Sequence, residues 1–365
     1  MENLICCKRC VMDNSSDSTI IFDENGFCNY CTSALKRMEY TYFPNDEGKR
    51  KLERLISILK LEGNGKKYDC LMGISGGLDS SYLAYLGSTK WGLRILAVHI
   101  DDGFDTEMSK KNIKKLVEST GIDLIIEKPD PIQFNDLTKA YILAEVPNLA
   151  IPQDNILFAC LYNYARKYKI KNFLSGTNFA LESILQQGNT YRAFDVKNIK
   201  AIHKRFGTEQ INKLQFLSDY KRFFDRYVLN IKTYCPLNFI DYRKEEAIKE
   251  LSNFCGFEYY GGKHLENTLT KFIQLYWFYN KFGVDKRKSH LSSMIISNQI
   301  TREEALLELQ KPLYDKDIME SEINLICKSL KIDRKEFDEI LKKPGKQHTE
   351  YPIDKFYLFF KKIFS

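Results

Sequence analysis

Two short stretches of this 365-residue chain carry residue types whose spacing can do chemistry. The first is Cys7-Lys-Arg-Cys10 with Cys28-Asn-Tyr-Cys31, two C-x-x-C pairs with 17 residues between them. Each pair can bring two thiolates to one ion from a tight turn, and four thiolates match the tetrahedral sulfur shell of zinc. Four ligands leave no open position, so the metal is expected to be structural. Cys6 is left over, and a ligand set shifted by one residue stays open. The second stretch is Ser75-Gly76-Gly77-Leu78-Asp79-Ser80-Ser81. Glycines let backbone approach an anion closely, and N–H groups, serine hydroxyls and a following helix N-terminus all favour negative charge. The loop is not a Walker A sequence, and no lysine is expected to reach into it. Mg²⁺ is therefore expected to supply the positive charge, with Asp79 as its oxygen ligand.

These residues need elements to position them. The loop directly follows residues 68–74, a short apolar run that reads as a buried strand, and residues 79–85 start a helix. Further strands are expected at 93–100, 123–127 and 172–175, alternating with helices at 109–119 and 155–168. That alternation predicts an α/β fold with a parallel sheet and a ligand at the carboxyl ends of its strands. Leu52, Leu55, Ile56 and Leu59 mark one face of a helix before the first strand. After residue 235 the strand signal fades, and helices are expected at 242–251, 267–279, 301–309, 321–330 and 335–343. Thr301 and Glu304 have capping-box spacing. Three regions follow: a four-cysteine zinc module at 1–45, an α/β domain at 46–235 and a mostly helical region at 236–365. Residues 1–40 hold too few aliphatic side chains to fold on apolar burial, which a metal would remedy.

The chain is 44% hydrophobic and 28% charged, which excludes wholesale disorder. No apolar run reaches the ~18–20 residues of a membrane span. The N-terminus lacks the apolar stretch of a secretory signal, so a cytoplasmic location is expected and a disulfide scaffold is not. A net charge of +7 suits anionic small ligands without calling for nucleic acid.

The turn S-G-G-x-D-S after a first strand resembles the PP-loop of ATP pyrophosphatases, which include NAD, GMP and asparagine synthetases and several tRNA-modifying enzymes. The resemblance implies a HUP-like, Rossmann-like domain that cleaves ATP to AMP and pyrophosphate. On that pattern Ser75, Gly76, Gly77, Asp79 and Ser80, with Ser81 beside them, hold the pyrophosphate end. His99 and Asp101 lie near the adenosine, and Gly176, Thr177 and Asn178 face the α-phosphate. A lone His99 is also read as a structural residue at a strand end.

Further blocks narrow the resemblance. With the cysteines they are IPQDN (151–155), FLSGTNFALES (173–183), IKAIHKRFGT (199–208), PLNFIDYRKEEA (236–247), YYGGKHLEN (259–267) and FGVDKRKSHLSSMIISNQITREEAL (282–306). Together they resemble the N-acetyl sugar amidotransferase family, of the WbpG/PseA type. Its members act in bacterial surface polysaccharide pathways, lipopolysaccharide O-antigen among them, and in nonulosonic acid pathways. The similarity runs from about residue 5 to the C-terminus. It implies adenylylation of an acetamido group on a nucleotide-activated sugar, then substitution by ammonia to give an acetamidino sugar. Asp79, Ser80, Asp154, Lys263 and His264 become catalytic candidates, and Gly261-Gly262 allow close backbone approach before the last two. Glu182, Lys204, Arg205, Arg287 and His290 become substrate-binding candidates. Position 2 is Glu2, and no lone cysteine sits in a glycine-rich elbow, so the chain has no glutaminase of its own. The family's solution is a separate pair of proteins resembling the glutaminase and cyclase subunits of histidine biosynthesis, with the zinc module as a candidate dock. A tRNA-modifying PP-loop enzyme is the second reading; the lack of a second C-x-x-C in the core counts against sulfur transfer.

Overall fold

The computed structural model describes residues 4–263 and 265–357. Five parallel strands form one sheet: β1 (Cys70–Gly73), β2 (Ile95–Ile100), β3 (Asp123–Glu127), β4 (Asn172–Leu174) and β5 (Lys232–Tyr234). Their order is β3-β2-β1-β4-β5. The chain steps outward from β1 to β2 and β3, then returns to pair β4 on the other side of β1. The direction of winding therefore reverses between β1 and β4, and a ligand crevice opens beyond the carboxyl ends of those two strands. β1, β2 and β4 are almost wholly buried, as central parallel strands covered on both faces must be. The fifth strand was not anticipated, because Lys-Thr-Tyr at an edge has no apolar run to mark it.

Helices fill the intervals as the alternation required. Leu78–Tyr85 springs directly from the turn after β1, and Ile151–Lys167 precedes β4. Arg302–Gln310 carries the expected capping box, with Thr301 and Glu304 bonding reciprocally. The helices Asn29–Thr41, Pro131–Leu143, Val196–Phe206 and Asp219–Tyr227 lie outside the sequence expectation. Pro131–Leu143 is buried over most of its surface, so no amphipathic stripe announces it; its readable sign was Asp130 capping a helix with Pro131 in its first turn.

Two large cores result. One runs from the four-cysteine module across one face of the sheet to residues 237–257. The other joins Pro131–Leu143 and Val196–Phe206 to the helices after residue 268. Trp277 is fully buried there, and its Nε1 donates to the Val146 carbonyl at 3.0 Å. The late helices therefore continue the packing of the α/β segment. Each large apolar side chain so buried contributes on the order of 2–3 kcal/mol relative to exposure.

The four-cysteine module is docked on the body of the protein. The Val11 N–H donates to Ser292 Oγ at 3.2 Å, and Asp13 pairs with Lys288. Arg302 donates to the carbonyls of Cys7 and Cys10, each at 3.1 Å. Gln186 Nε2 donates to the Ser16 carbonyl at 3.1 Å. Ser292 and Lys288 belong to the helix Arg287–Ile296, which therefore has the module along one side.

Candidate active site

The turn after β1 is shaped by Gly76, whose φ of +77° is the left-handed region. A Cβ there would lie 2.6 Å from the Ser109 carbonyl, so only glycine fits. Ser80 Oγ accepts from the Ser75 N–H at 3.3 Å, and Ser75 Oγ accepts from the Gly77 N–H at 3.2 Å. The turn after β4 lies against this loop: a Cβ on Gly176 would meet Ser80 N at 3.0 Å. Ser75 and Thr177 are exposed between the two turns.

A segment far along the chain crosses the loop. The Tyr260 hydroxyl accepts from the Leu78 N–H at 2.9 Å, the first amide of the loop's helix. Glu266 Oε1 accepts from Ser75 Oγ at 3.0 Å, and a Cβ on Gly77 would lie 2.6 Å from the same oxygen. Glu266 Oε2 is buried with no hydrogen-bond partner among the described residues. Lys263 Nζ stands 3.0 Å from Asp79 Oδ2 and 2.8 Å from Glu182 Oε1. Burial opposes the charge of Lys263, yet Asp79 and Glu182 together hold its ammonium above the ordinary lysine range. The Tyr242 hydroxyl donates to Asp79 Oδ1 at 2.5 Å, and burial pushes that phenol far up. The expectation that no lysine reaches the loop is thereby corrected: its own sequence has none, but the fold delivers Lys263 to Asp79. Glu182, expected at the sugar, instead shares a cation with Asp79. The two carboxylates converge on one point, where the Lys263 ammonium stands, and their oxygens are donors of the kind a hard divalent cation takes.

Other expected residues separate into those near the loop and those elsewhere. His99 is buried; its Nδ1 meets the Ile74 carbonyl and its Nε2 meets Asp105, both at 2.8 Å. Burial pulls its pKa down, but the Asp105 carboxylate outweighs that and leaves it raised. His99 thus ties β2 to the residue before Ser75, the structural reading. Asp101 pairs with Lys128 at 2.8 Å. Asn178 is buried and spends its carbonyl oxygen capping a short helix at Leu181 N, 2.9 Å away. Ser81 is fully buried, so it faces the core, away from the crevice. Asp154 sits in the first turn of Ile151–Lys167, while its neighbour Gln153 reaches Asp102. Lys204 and Arg205 are exposed at the end of Val196–Phe206, the latter over the rings of Phe206 and Tyr351. That helix buries Ile199 and Ile202 in the second core and His203 against Asp136, and neither cation is among the residues that line the cavity beside the loop. His264 lies outside the described residues.

A cavity of about 580 Å³ opens beside the loop. Asp79, Leu78 and Lys263 form one end; Tyr259, Tyr260, Lys286, Arg287 and His290 line its walls. Tyr242, Tyr260, Glu266 and Lys286 were not singled out from sequence. The tyrosines and Glu266 fall in or beside blocks that carried the resemblance, and nothing local distinguishes them there.

At the other end of the chain the cysteine ligand set resolves. Cys7, Cys10, Cys28 and Cys31 are all buried with their sulfurs within 4.8 Å of one another, while Cys6 is exposed. Cys7 and Cys31 sulfurs lie 3.7 Å apart and those of Cys10 and Cys28 3.6 Å. Thiolates ~2.3 Å from a tetrahedral centre stand ~3.8 Å from each other, so the cluster fits one metal ion. The amides of Arg9, Cys10 and Cys28 donate to Cys7 Sγ at 3.2–3.5 Å, favouring thiolate.

Comparison with known proteins agrees with this geometry. A family model of NAD synthase matches residues 54–216, which hold β1 to β4 and the loop. A second, described as the C-terminal domain of WbpG-like LPS biosynthesis proteins, matches residues 266–364. Together the two matches support the WbpG-type PP-loop family and an ATP-using PP-loop enzyme. An uncharacterised protein of Methanocaldococcus jannaschii is 23% identical over 316 residues, covering 86% of this chain and 96% of that one. Among solved structures, the NH3-dependent NAD synthetase from Campylobacter jejuni shares 15% identity over 57% of this chain and 93% of that chain, at a TM-score of 0.30. The U34-tRNA thiolase of Methanococcus maripaludis shares 16% over 84% and 89%, at 0.34. No helix among the described residues is long and apolar enough to cross a membrane.

Proposed function

We propose that this enzyme is an ATP-dependent N-acetyl sugar amidotransferase acting on a nucleotide-activated sugar in surface polysaccharide or nonulosonic acid biosynthesis. The observation that carries the reading is the cavity, which meets the PP-loop at Asp79 and has basic side chains in its walls. An acceptor lying there would bring an amide to the loop's edge. The amide oxygen attacks the α-phosphorus of ATP; the new O–P bond forms as the bond to pyrophosphate breaks. Ammonia then attacks the imidate carbon, AMP leaves with the amide oxygen, and loss of a proton gives the acetamidine. Adenylylation is needed because an amide oxygen is otherwise a poor leaving group.

Asp79 and Glu182 would hold Mg²⁺, which when bound offsets charge on the departing pyrophosphate. The chain's own part is positional. Gly76 and Gly77 let the backbone approach phosphate, Ser75 and Ser80 offer hydroxyls, and Tyr242 fixes Asp79. Gly176 and Thr177 stand where the α-phosphate would pass. Arg287 and His290 belong to the acceptor's wall. On this reading residues 1–45 hold a structural zinc, 46–235 bind ATP, and 236–365 complete the acceptor site. The protein acts in the cytoplasm, with ammonia from a separate glutaminase and cyclase-like pair.

Cys235 bears on the tRNA-thiolating alternative. It stands near Ser175 and Glu182, and burial pushes its thiol up, away from the thiolate that sulfur transfer requires. The deciding experiment incubates the enzyme with ATP, ammonium and a panel of nucleotide sugars. The expected result is AMP, pyrophosphate and a sugar whose mass changes by replacement of O with NH. ADP as the spent nucleotide, or no mass change in any acetamido sugar, would refute the reading.

A further inference from the structure

The basic side chains of the cavity differ in what already holds them. Lys263 is claimed by Asp79 and Glu182. Arg287 is fully engaged: its Nε and Nη2 donate to Asp285 at 2.7–3.2 Å, and its Nη1 to the carbonyls of Glu308 and Lys311. Lys244 stands 3.7 Å from Glu245. His290 Nδ1 faces the Leu181 carbonyl.

Lys286 is different. Among the described residues no carboxylate or carbonyl lies within bonding distance of its ammonium, which sits 5.1 Å from the centre of the Phe278 ring. Asp17 is the acid whose field reaches it, but the oxygens of Asp17 already accept from Thr19, Tyr30 and Gly188. A half-buried ammonium whose near companions are an aromatic ring and the field of an already engaged carboxylate has lost water without gaining a hydrogen-bond acceptor. Burial accordingly pulls its pKa down to about 8. A ligand anion in the cavity would repair both deficits.

We propose that Lys286 is the specificity-determining residue of this cavity, the one that receives an anionic group, carboxylate or phosphate, of the acceptor. The adjacent Arg287 shapes the wall through Asp285 and leaves recognition to Lys286. This assignment rests on the acceptor reading given above, and the test separates the two.

The test is calorimetric titration of the full-length protein with UDP-N-acetylglucosamine and with its 6-carboxylate, the N-acetylglucosaminuronic acid form. Wild type is compared with Lys286→Gln and Lys286→Arg, and ATP titration checks the fold of each. Loss of one charge-assisted contact in Lys286→Gln should weaken binding roughly 10- to 100-fold, with Lys286→Arg restoring most of it. Weakening of the uronate alone assigns Lys286 to the carboxylate; equal weakening of both sugars assigns it to the diphosphate. Unchanged affinity of Lys286→Gln for both overturns the assignment and leaves the acceptor reading standing. A wild-type protein that binds ATP but neither sugar overturns both.

Discussion

Lys263→Met is the most informative single change, because it removes a cation from between two carboxylates. Lys263 Nζ lies 3.0 Å from Asp79 and 2.8 Å from Glu182, and the three side chains are only 13%, 18% and 14% exposed. Removing one partner of a buried ion pair costs ~3–5 kcal/mol, and partial exposure puts this case near ~3 kcal/mol. At ~2.1 cal/mol/K per residue, unfolding the whole chain carries ~0.8 kcal/mol/K, so the melting temperature should fall by ~4 °C. Methionine keeps the apolar stem, so little packing is lost. The variant should then be rescued by a divalent cation entering the place the ammonium vacated. Mg²⁺ at tenfold its dissociation constant returns ~1.4 kcal/mol, or ~2 °C. In wild type Lys263 competes for that place, and the Mg²⁺ shift should be smaller. Scanning calorimetry with and without MgCl₂ reads all four values. Equal Mg²⁺ shifts in the two proteins, or none in the variant, would refute the idea that ammonium and metal share one position.

Asp79→Asn keeps the shape of the carboxylate and its contact with Tyr242, and it should lower pyrophosphate release by at least ~100-fold while melting within a few degrees of wild type. Near-normal turnover would remove Asp79 from the reaction. Elemental analysis should find about one zinc per chain, lost in Cys28→Ser and kept in Cys6→Ser. Equal metal loss in both would reopen the ligand set. His99→Gln tests linkage. A raised imidazole contributes its full stability below the unfolded pKa of ~6.5 and loses it as pH rises through the folded value. The destabilisation measured by urea should therefore be larger at pH 6 than at pH 9, and the reverse order would show that Asp105 does not pair with a charged ring.

What could be read from the sequence was what is local. The two C-x-x-C turns and the S-G-G-x-D-S loop each lie within a few residues, and the burial of all four cysteines with Cys6 left outside follows that pattern. The strap across the loop was beyond local reading, since Glu266 meets Ser75 across 191 positions and Tyr242 meets Asp79 across 163. Lys204 and Arg205 were drawn in by the block that surrounds them, but helix periodicity gives the inward face to Ile199, Ile202 and His203. Choosing between Lys286 and Arg287 needed the position of Asp285, whose carboxylate one of them takes and the other does not.

The helix Arg287–Ile296 is a party wall. On one side Lys288 and Ser292 hold the cysteine module, with Leu291 packed on Val11; on the other His290 borders the cavity. On the proposed function, loss of metal from the four thiolates or their oxidation should weaken sugar binding first and leave ATP binding intact, because the loop is braced by β1, Tyr260 and Glu266 instead.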